Sequence, residues 1–387
     1  MALTYPSIAA LLWLAAGAAF AWVVASWPKA AGPGLGAIAR RVSSQLLVLV
    51  LTLVAVAGTL NVQNGWYASW SDLAASFASA SPAGHVVIAG APAAVAAAGP
   101  PSLSGAPPPT PPPNEADLGL SPNPGPVGQY RTYAIRGPLS GVTGQVTIWF
   151  PQAYTDLTQA KRRFPVIEAF HGIPGSPRSY SHSLKLGQML AAQRAAGHIG
   201  PAVLVIPDYT PARQDTECVN GGPGHPAMED WLATDIPSWV QQHLRVQPAR
   251  DAWATMGYSA GGWCAAMTAM LHPQTYGAAI VLGGYFRPIF ADTYRPFAPG
   301  SPQWNRYDLV RLAQNRPPKV ALWIQTSPAD PLSYQTTSAL LAHVKPPLSV
   351  TADVLNGVGH RMSVWVNLMP GTFAWLGSTI PGFKAQR

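Results

Sequence analysis

The chain has 387 residues, of which 48% are hydrophobic and only 10% charged, against roughly 25% charged in ordinary soluble domains. With 41 Pro and 36 Gly, this composition points to membrane spans and a Pro-rich linker joined to a folded domain. Net charge is +8, but the basic residues form no run longer than the pairs Arg40-Arg41 and Arg162-Arg163, which argues against a nucleic-acid partner; two cysteines are too few for a metal cluster or a disulfide-rich scaffold.

Two uncharged apolar runs open the chain, Ile8 to Trp27 and Val42 to Val62, each about long enough to cross a bilayer core. Both are predicted as transmembrane helices within an anchor over 1–72. A cleaved signal peptide is the rival for the first run, but its basic n-region is missing, since the first charge is Lys29. Lys29, Arg40 and Arg41 lie between the runs, so the positive-inside rule puts that loop in the cytoplasm and everything after Val62 outside. Trp66, Tyr67 and Trp70 follow where interfacial aromatics are expected.

Residues 73–128 are dominated by Ala, Pro, Gly and Ser and read as an extended extracytoplasmic linker. Inside it, "HVVIAGAPAAVAAAG" is apolar enough for a short strand or a surface-lying segment. From 129 to 387 the pattern changes. "QYRTYAIRG" and "GQVTIWFP" predict an antiparallel pair, and six near-continuously apolar runs follow, at 164–170, 201–207, 252–259, 277–284, 319–326 and 348–355. Amphipathic helical patterns separate them. The expectation is one α/β domain with a mostly parallel sheet of about eight strands and flanking helices, preceded by the two transmembrane helices. No GxGxxG or P-loop supports a nucleotide cofactor.

Gly257-Tyr258-Ser259-Ala260-Gly261 fits G-x-S-x-G between a strand and a small-residue helix, where a nucleophilic serine sits on a strained turn. By itself the pattern also fits a Gly/Ser-rich helix start. Candidate partners follow it in the chain: Asp330 just after a late strand, an acid to orient a histidine, then His360 in a Gly-containing loop near the end, a base for the serine. Asp353 competes as the acid but falls inside a predicted strand. "EAFHGIPGS" puts His171-Gly172 at a strand end, so that the N–H groups of Ile173 and Ala260 would form an oxyanion hole; the plain alternative is a Gly/Pro turn. Trp263, Tyr285 and Phe286 line an acyl pocket or belong to the core.

The pieces "FHGIPGS", "VIPDYT", "DTECVNG", "TDIPSWV", "MGYSAGGWCA" and the "GVGH" loop give the last two-thirds of the chain its resemblance to the esterase branch of the α/β-hydrolases, which includes esterase D-like enzymes and the antigen 85 mycolyltransferases. The N-terminal architecture is similar to that of membrane-anchored actinobacterial members. The resemblance implies an α/β-hydrolase fold and carboxylic ester hydrolysis through an acyl-enzyme on Ser259, with no metal or organic cofactor. The substrate expected is a small-molecule or lipid ester. An acyltransferase delivering the acyl group to a sugar or envelope acceptor is the alternative, and a catalytically silent envelope binding protein a further one. In an extracytoplasmic domain Cys218 and Cys264 are either bridged or two buried thiols; oxidising surroundings favour the bridge, and the resemblance implies the same pairing.

Overall fold

The computed structural model describes residues 3–77, 83–90 and 118–385. The chain divides into two compact units, residues 1–82 with 356–364, and residues 83–355 with 365–387.

The smaller unit contains helices α1 (Pro6–Ser26) and α2 (Leu35–Asn64). At 1.5 Å per residue they span about 32 and about 45 Å, enough for a hydrocarbon core of about 30 Å. Both are long and apolar enough to cross a membrane, by length and composition. Leu11, Leu14, Phe20 and Trp22 on α1 and Leu46, Leu49, Val50 and Leu53 on α2 are exposed, which is compatible with a membrane anchor. Trp13 Nε1 donates to Thr59 Oγ1 across the pair (2.9 Å). Gly65, in the left-handed conformation, ends α2 and donates to the Asn61 carbonyl. A short helix, α3 (Trp70–Ala75), follows, capped by Ser69.

The larger unit is built on nine strands: β1 (Gly84–Ala89), β2 (Gln129–Arg136), β3 (Thr143–Phe150), β4 (Val166–Phe170), β5 (Val203–Pro207), β6 (Trp253–Tyr258), β7 (Ala278–Leu282), β8 (Ala321–Thr326) and β9 (Ser349–Leu355). They lie in the order β1-β9-β8-β7-β6-β4-β5-β3-β2. The pairs β2–β3 and β3–β5 are antiparallel, and β4 to β9 run parallel. Every residue of β4 to β8 is buried, which is why these strands read as unbroken apolar runs: helices cover both faces.

The sheet has nine strands where about eight were expected, because the apolar segment inside the expected linker is a strand. β1 pairs antiparallel with β9 from Gly84↔Leu355 to Ala89↔Val350, covering an edge that would otherwise offer unpaired backbone groups. The rest of the 73–128 linker lies largely outside the described residues; Leu118, near its end, is buried and accepts from Tyr133 Oη (2.7 Å).

From β4 the chain passes to β5 on one side and then crosses to β6 on the other. The connections leaving β4 and β6 therefore diverge at their C-terminal ends, a topological switch point, the place where open α/β sheets bind ligands.

Candidate active site

Ser259 sits at that switch point, one residue past β6 and immediately before the helix Ala260–Leu271. Its φ of 56° and ψ of −128° fall outside the regions an L-residue normally occupies, at a cost of about 1–3 kcal/mol. The surroundings hold it there. Its N–H donates to the Leu282 carbonyl (2.9 Å), and its own carbonyl accepts from Gly262 N (2.9 Å) and Trp263 N (3.2 Å). A Cβ on Gly257 would collide with the Gly261 backbone, and one on Gly261 would strike the carbonyls of Phe170 and His171. Both glycines are thus required by a close passage of strand and helix, and Ser259 is left half-buried at the apex. Ala260 opens the helix, so its N–H belongs to the turn whose donors have no partner within the helix.

The turn after β4 is packed against this elbow. A Cβ on Gly172 would meet the Tyr258 ring, and the Gly261 contacts above complete the approach. Tyr180 Oη donates to the Phe170 carbonyl (2.9 Å) and Tyr209 Oη to that of His171, fixing the strand end that leads into Ile173. His171 itself is fully buried, with Nδ1 2.9 Å from the Gly172 carbonyl and its ring stacked on Tyr209. That environment makes it part of the scaffold of the turn. The structure therefore brings Ser259, Ala260 and the His171–Ile173 turn together.

Asp330 is the N-cap residue of the helix Pro331–Leu341, four residues beyond the end of β8, and only 5% exposed. Its Oδ2 accepts from Ser333 Oγ (2.8 Å), and its N–H donates to the Ser327 carbonyl (2.8 Å). The competing acid, Asp353, lies within β9 in register with Gln325 and Val86, where burial raises its pKa. His360 follows β9 in the loop before the helix Met362–Thr379 and is grouped with the smaller unit. There its N–H donates to the Gly65 carbonyl (2.7 Å).

Cys218 and Cys264 are bonded, tying the loop after β5 to the first turns of the Ser259 helix across 46 residues. Sequence reasoning missed the group beside this bridge. Glu217 and Cys218 both have positive φ (50° and 57°), and the Glu217 side chain is buried. It accepts from Tyr285 Oη (2.6 Å) and Ile289 N (3.0 Å), while its carbonyl accepts from Trp263 Nε1 (2.8 Å). Burial, with Asp215 nearby, pushes its carboxyl well above the ordinary value. Trp263, Tyr285 and Phe286 are accordingly core residues, the first two stacked on each other and bracing Glu217. The acidic-Cys spelling "DTEC" is the only trace of this in the sequence. Among the described residues no group of His, Cys, Asp and Glu could hold a metal ion.

Solved structures share this architecture. An S-formylglutathione hydrolase from Agrobacterium tumefaciens is 15% identical, with a TM-score of 0.55 over 67% of this chain and 98% of that one. A fluorophosphonate-binding serine hydrolase from Staphylococcus aureus is 16% identical, with a TM-score of 0.51 over 64% and 98%. A ferulic acid esterase is likewise 16% identical, with a TM-score of 0.51 over 64% and 97%. At such identities the likeness speaks to the fold, a mixed α/β sheet with flanking helices of the α/β-hydrolase kind. No curated protein sequence matches the chain. Residues 142–365, more than half of the 387, match the family described as "Putative esterase", and the chain belongs to that esterase family.

Proposed function

We propose that the chain is a serine carboxylic ester hydrolase, held to a membrane by α1 and α2, with its catalytic domain on the extracytoplasmic side. Ser259 Oγ attacks the ester carbonyl while His360 takes its proton, and Asp330 orients His360 and stabilises the imidazolium. The N–H groups of Ile173 and Ala260 receive the oxyanion. His360 then protonates the departing alcohol, leaving an acyl-enzyme, and activates the water that releases the acid.

The strained Ser259 elbow carries this reading: a non-glycine residue is held at positive φ between two glycines that have no room for a Cβ, at the C-terminal edge of the sheet. Membership of the esterase family implies a small-molecule ester as substrate. Two observations support the topology. The basic residues Lys29, Arg40 and Arg41 lie between or at the start of the apolar helices, and the larger unit carries a disulfide, a bond that persists in oxidising compartments.

The test is covalent labelling of the full-length protein with a fluorophosphonate, alongside hydrolysis of p-nitrophenyl esters of increasing acyl length. Wild type should label and turn over; Ser259→Ala should do neither. Unchanged labelling of Ser259→Ala would sink the assignment. Repeating the assay with a sugar acceptor separates hydrolysis from acyl transfer.

A further inference from the structure

Within the smaller unit, the residues that follow α2 grip the loop that carries His360. Asn61 fixes the start of that stretch: its Oδ1 accepts from Tyr67 N (2.8 Å) and its Nδ2 donates to the Tyr67 carbonyl (2.9 Å). Ser69 then caps α3 by accepting from Asp72 N (3.1 Å), and Asp72 reaches back to accept from Ala68 N (2.9 Å), a variant of the reciprocal capping box.

The same carboxylate spans a sequence gap of 287 residues. Asp72 Oδ2 accepts from Gly359 N (3.0 Å) and from Arg361 Nη1 (2.7 Å), and Oδ1 accepts from Arg361 Nη2 (2.7 Å). Arg361 also donates to the Trp66 carbonyl (3.0 Å) and lies over the Tyr67 ring. The pair is buried, with side chains 11% and 3% exposed for Arg361 and Asp72. Desolvation offsets much of the attraction in such a pair, so its use is geometric: a two-pronged fork fixes orientation as well as distance. Between the two anchored residues lies His360, whose own N–H is held by Gly65 (2.7 Å). Gly359 completes the grip, since a Cβ there would collide with the carbonyls of Gly65 and Trp66.

We propose that Asp72 and Arg361 are positioning residues for His360, so that the juxtamembrane stretch 65–72 is a working part of the catalytic machinery as well as a stalk. The inference rests on His360 as the general base of Ser259. Misplacing a catalytic group by about 1 Å costs up to roughly a hundredfold in rate, and the loop has a glycine at Gly357 and another at Gly359, so its backbone needs outside support.

The experiment uses the full chain in detergent. Serines competent to react are counted by fluorophosphonate titration run to completion, and kcat is expressed per titrated serine. Asp72→Asn sets an amide NH2 against either the guanidinium or the N–H groups of Ala68 and Gly359. It should lower kcat per titrated serine about tenfold to a hundredfold, with KM changed less than about twofold. Arg361→Lys keeps the buried charge but loses the fork, and should lower it about threefold or more. The double variant Asp72→Asn/Arg361→Lys should be no worse than the poorer single one, because both remove the same grip. A purely structural role would reduce the number of titratable serines and leave kcat per serine unchanged, and that result overturns the proposal. If Asp72→Asn yields no titratable protein, Arg361→Lys decides by the same criterion. His360→Ala is the separate control: full activity there refutes the base assignment itself, whatever the Asp72 variants do.

Discussion

The Ser259 elbow and the His360 loop are built by opposite means. The elbow is specified within a few residues: Gly257, Ser259 and Gly261 carry the turn, and the partners that force the strain are the strand before, the helix after and the adjacent ends of β4 and β7. The His360 loop has little structure of its own. Its neighbours on the chain are held by Asp72, 287 and 289 residues away, and its backbone by Gly65. On the proposed mechanism, a nucleophile in a strained conformation needs a stiff local frame, whereas a proton-carrying side chain can sit on a loop if something distant holds that loop in place.

The sharpest way to break this contrast is at the elbow's apex. Ser259→Ala should lower kcat/KM by a thousandfold or more, on the order of 4 kcal/mol of transition-state stabilisation, with thermal unfolding unshifted or slightly raised because strain at positive φ is not worsened. Measured turnover above that level would mean the elbow is not the reacting centre. Next comes the elbow's frame. Gly261→Val should destabilise the larger unit by about 3 kcal/mol or more, since its side chain would have to displace the β4 backbone, and the loss should appear in unfolding before any question of kinetics arises.

The disulfide offers an intermediate effect. Closing a loop of 46 residues stabilises by about 4 kcal/mol in the chain-entropy account, with measured values often smaller. Cys218→Ala/Cys264→Ala should therefore lower the unfolding midpoint of the larger unit. An unchanged midpoint would show that Glu217 and its partners hold the loop without the bond.

The mildest test concerns the strand below the β4 turn. Glu168 is fully buried and burial pushes its carboxyl up to about 8, against a hydrogen bond from Tyr276 Oη. In the unfolded chain a glutamate titrates near 4.3, so the folded state binds the extra proton between those two values. The resulting stability is fully present below about pH 4, and is lost as the pH rises through about 8. Glu168→Gln, neutral throughout, should match wild type in urea unfolding near pH 4 and exceed it near pH 8. Parallel curves for the two proteins would mean that Glu168 binds its proton no more tightly in the folded state than in the unfolded chain, its charge being stabilised by another group.

The same division explains what could be read in advance. Six buried strands and the elbow were legible because their signals are short-range: apolar runs bounded by turns, and a glycine on either side of a serine. β1 was legible only as one of two readings of its apolar run, a short strand or a surface-lying segment, and pairing with the β9 edge is what makes Gly84–Ala89 a strand. Asp72 was hidden more deeply. In the sequence this stretch stands out only for Trp66, Tyr67 and Trp70, and no local pattern says that the Asp72 carboxylate will meet Arg361. Glu217 likewise shows in the sequence only as a charge beside a cysteine, whereas its burial is set by Tyr285 and Trp263.

The hydrogen bond from His360 to Gly65 joins the histidine's backbone to the first residue beyond the last turn of α2. On the proposed topology, tilt or vertical shift of that helix is passed to His360 without any intervening flexible segment. Hydrophobic mismatch changes helix tilt, so with His360 as the proposed base and α2 as the proposed span, lipid chain length would become a variable of the reaction. The protein reconstituted in short-chain and in long-chain phosphatidylcholine should show different kcat values for one soluble ester, and Arg361→Lys should blunt that difference.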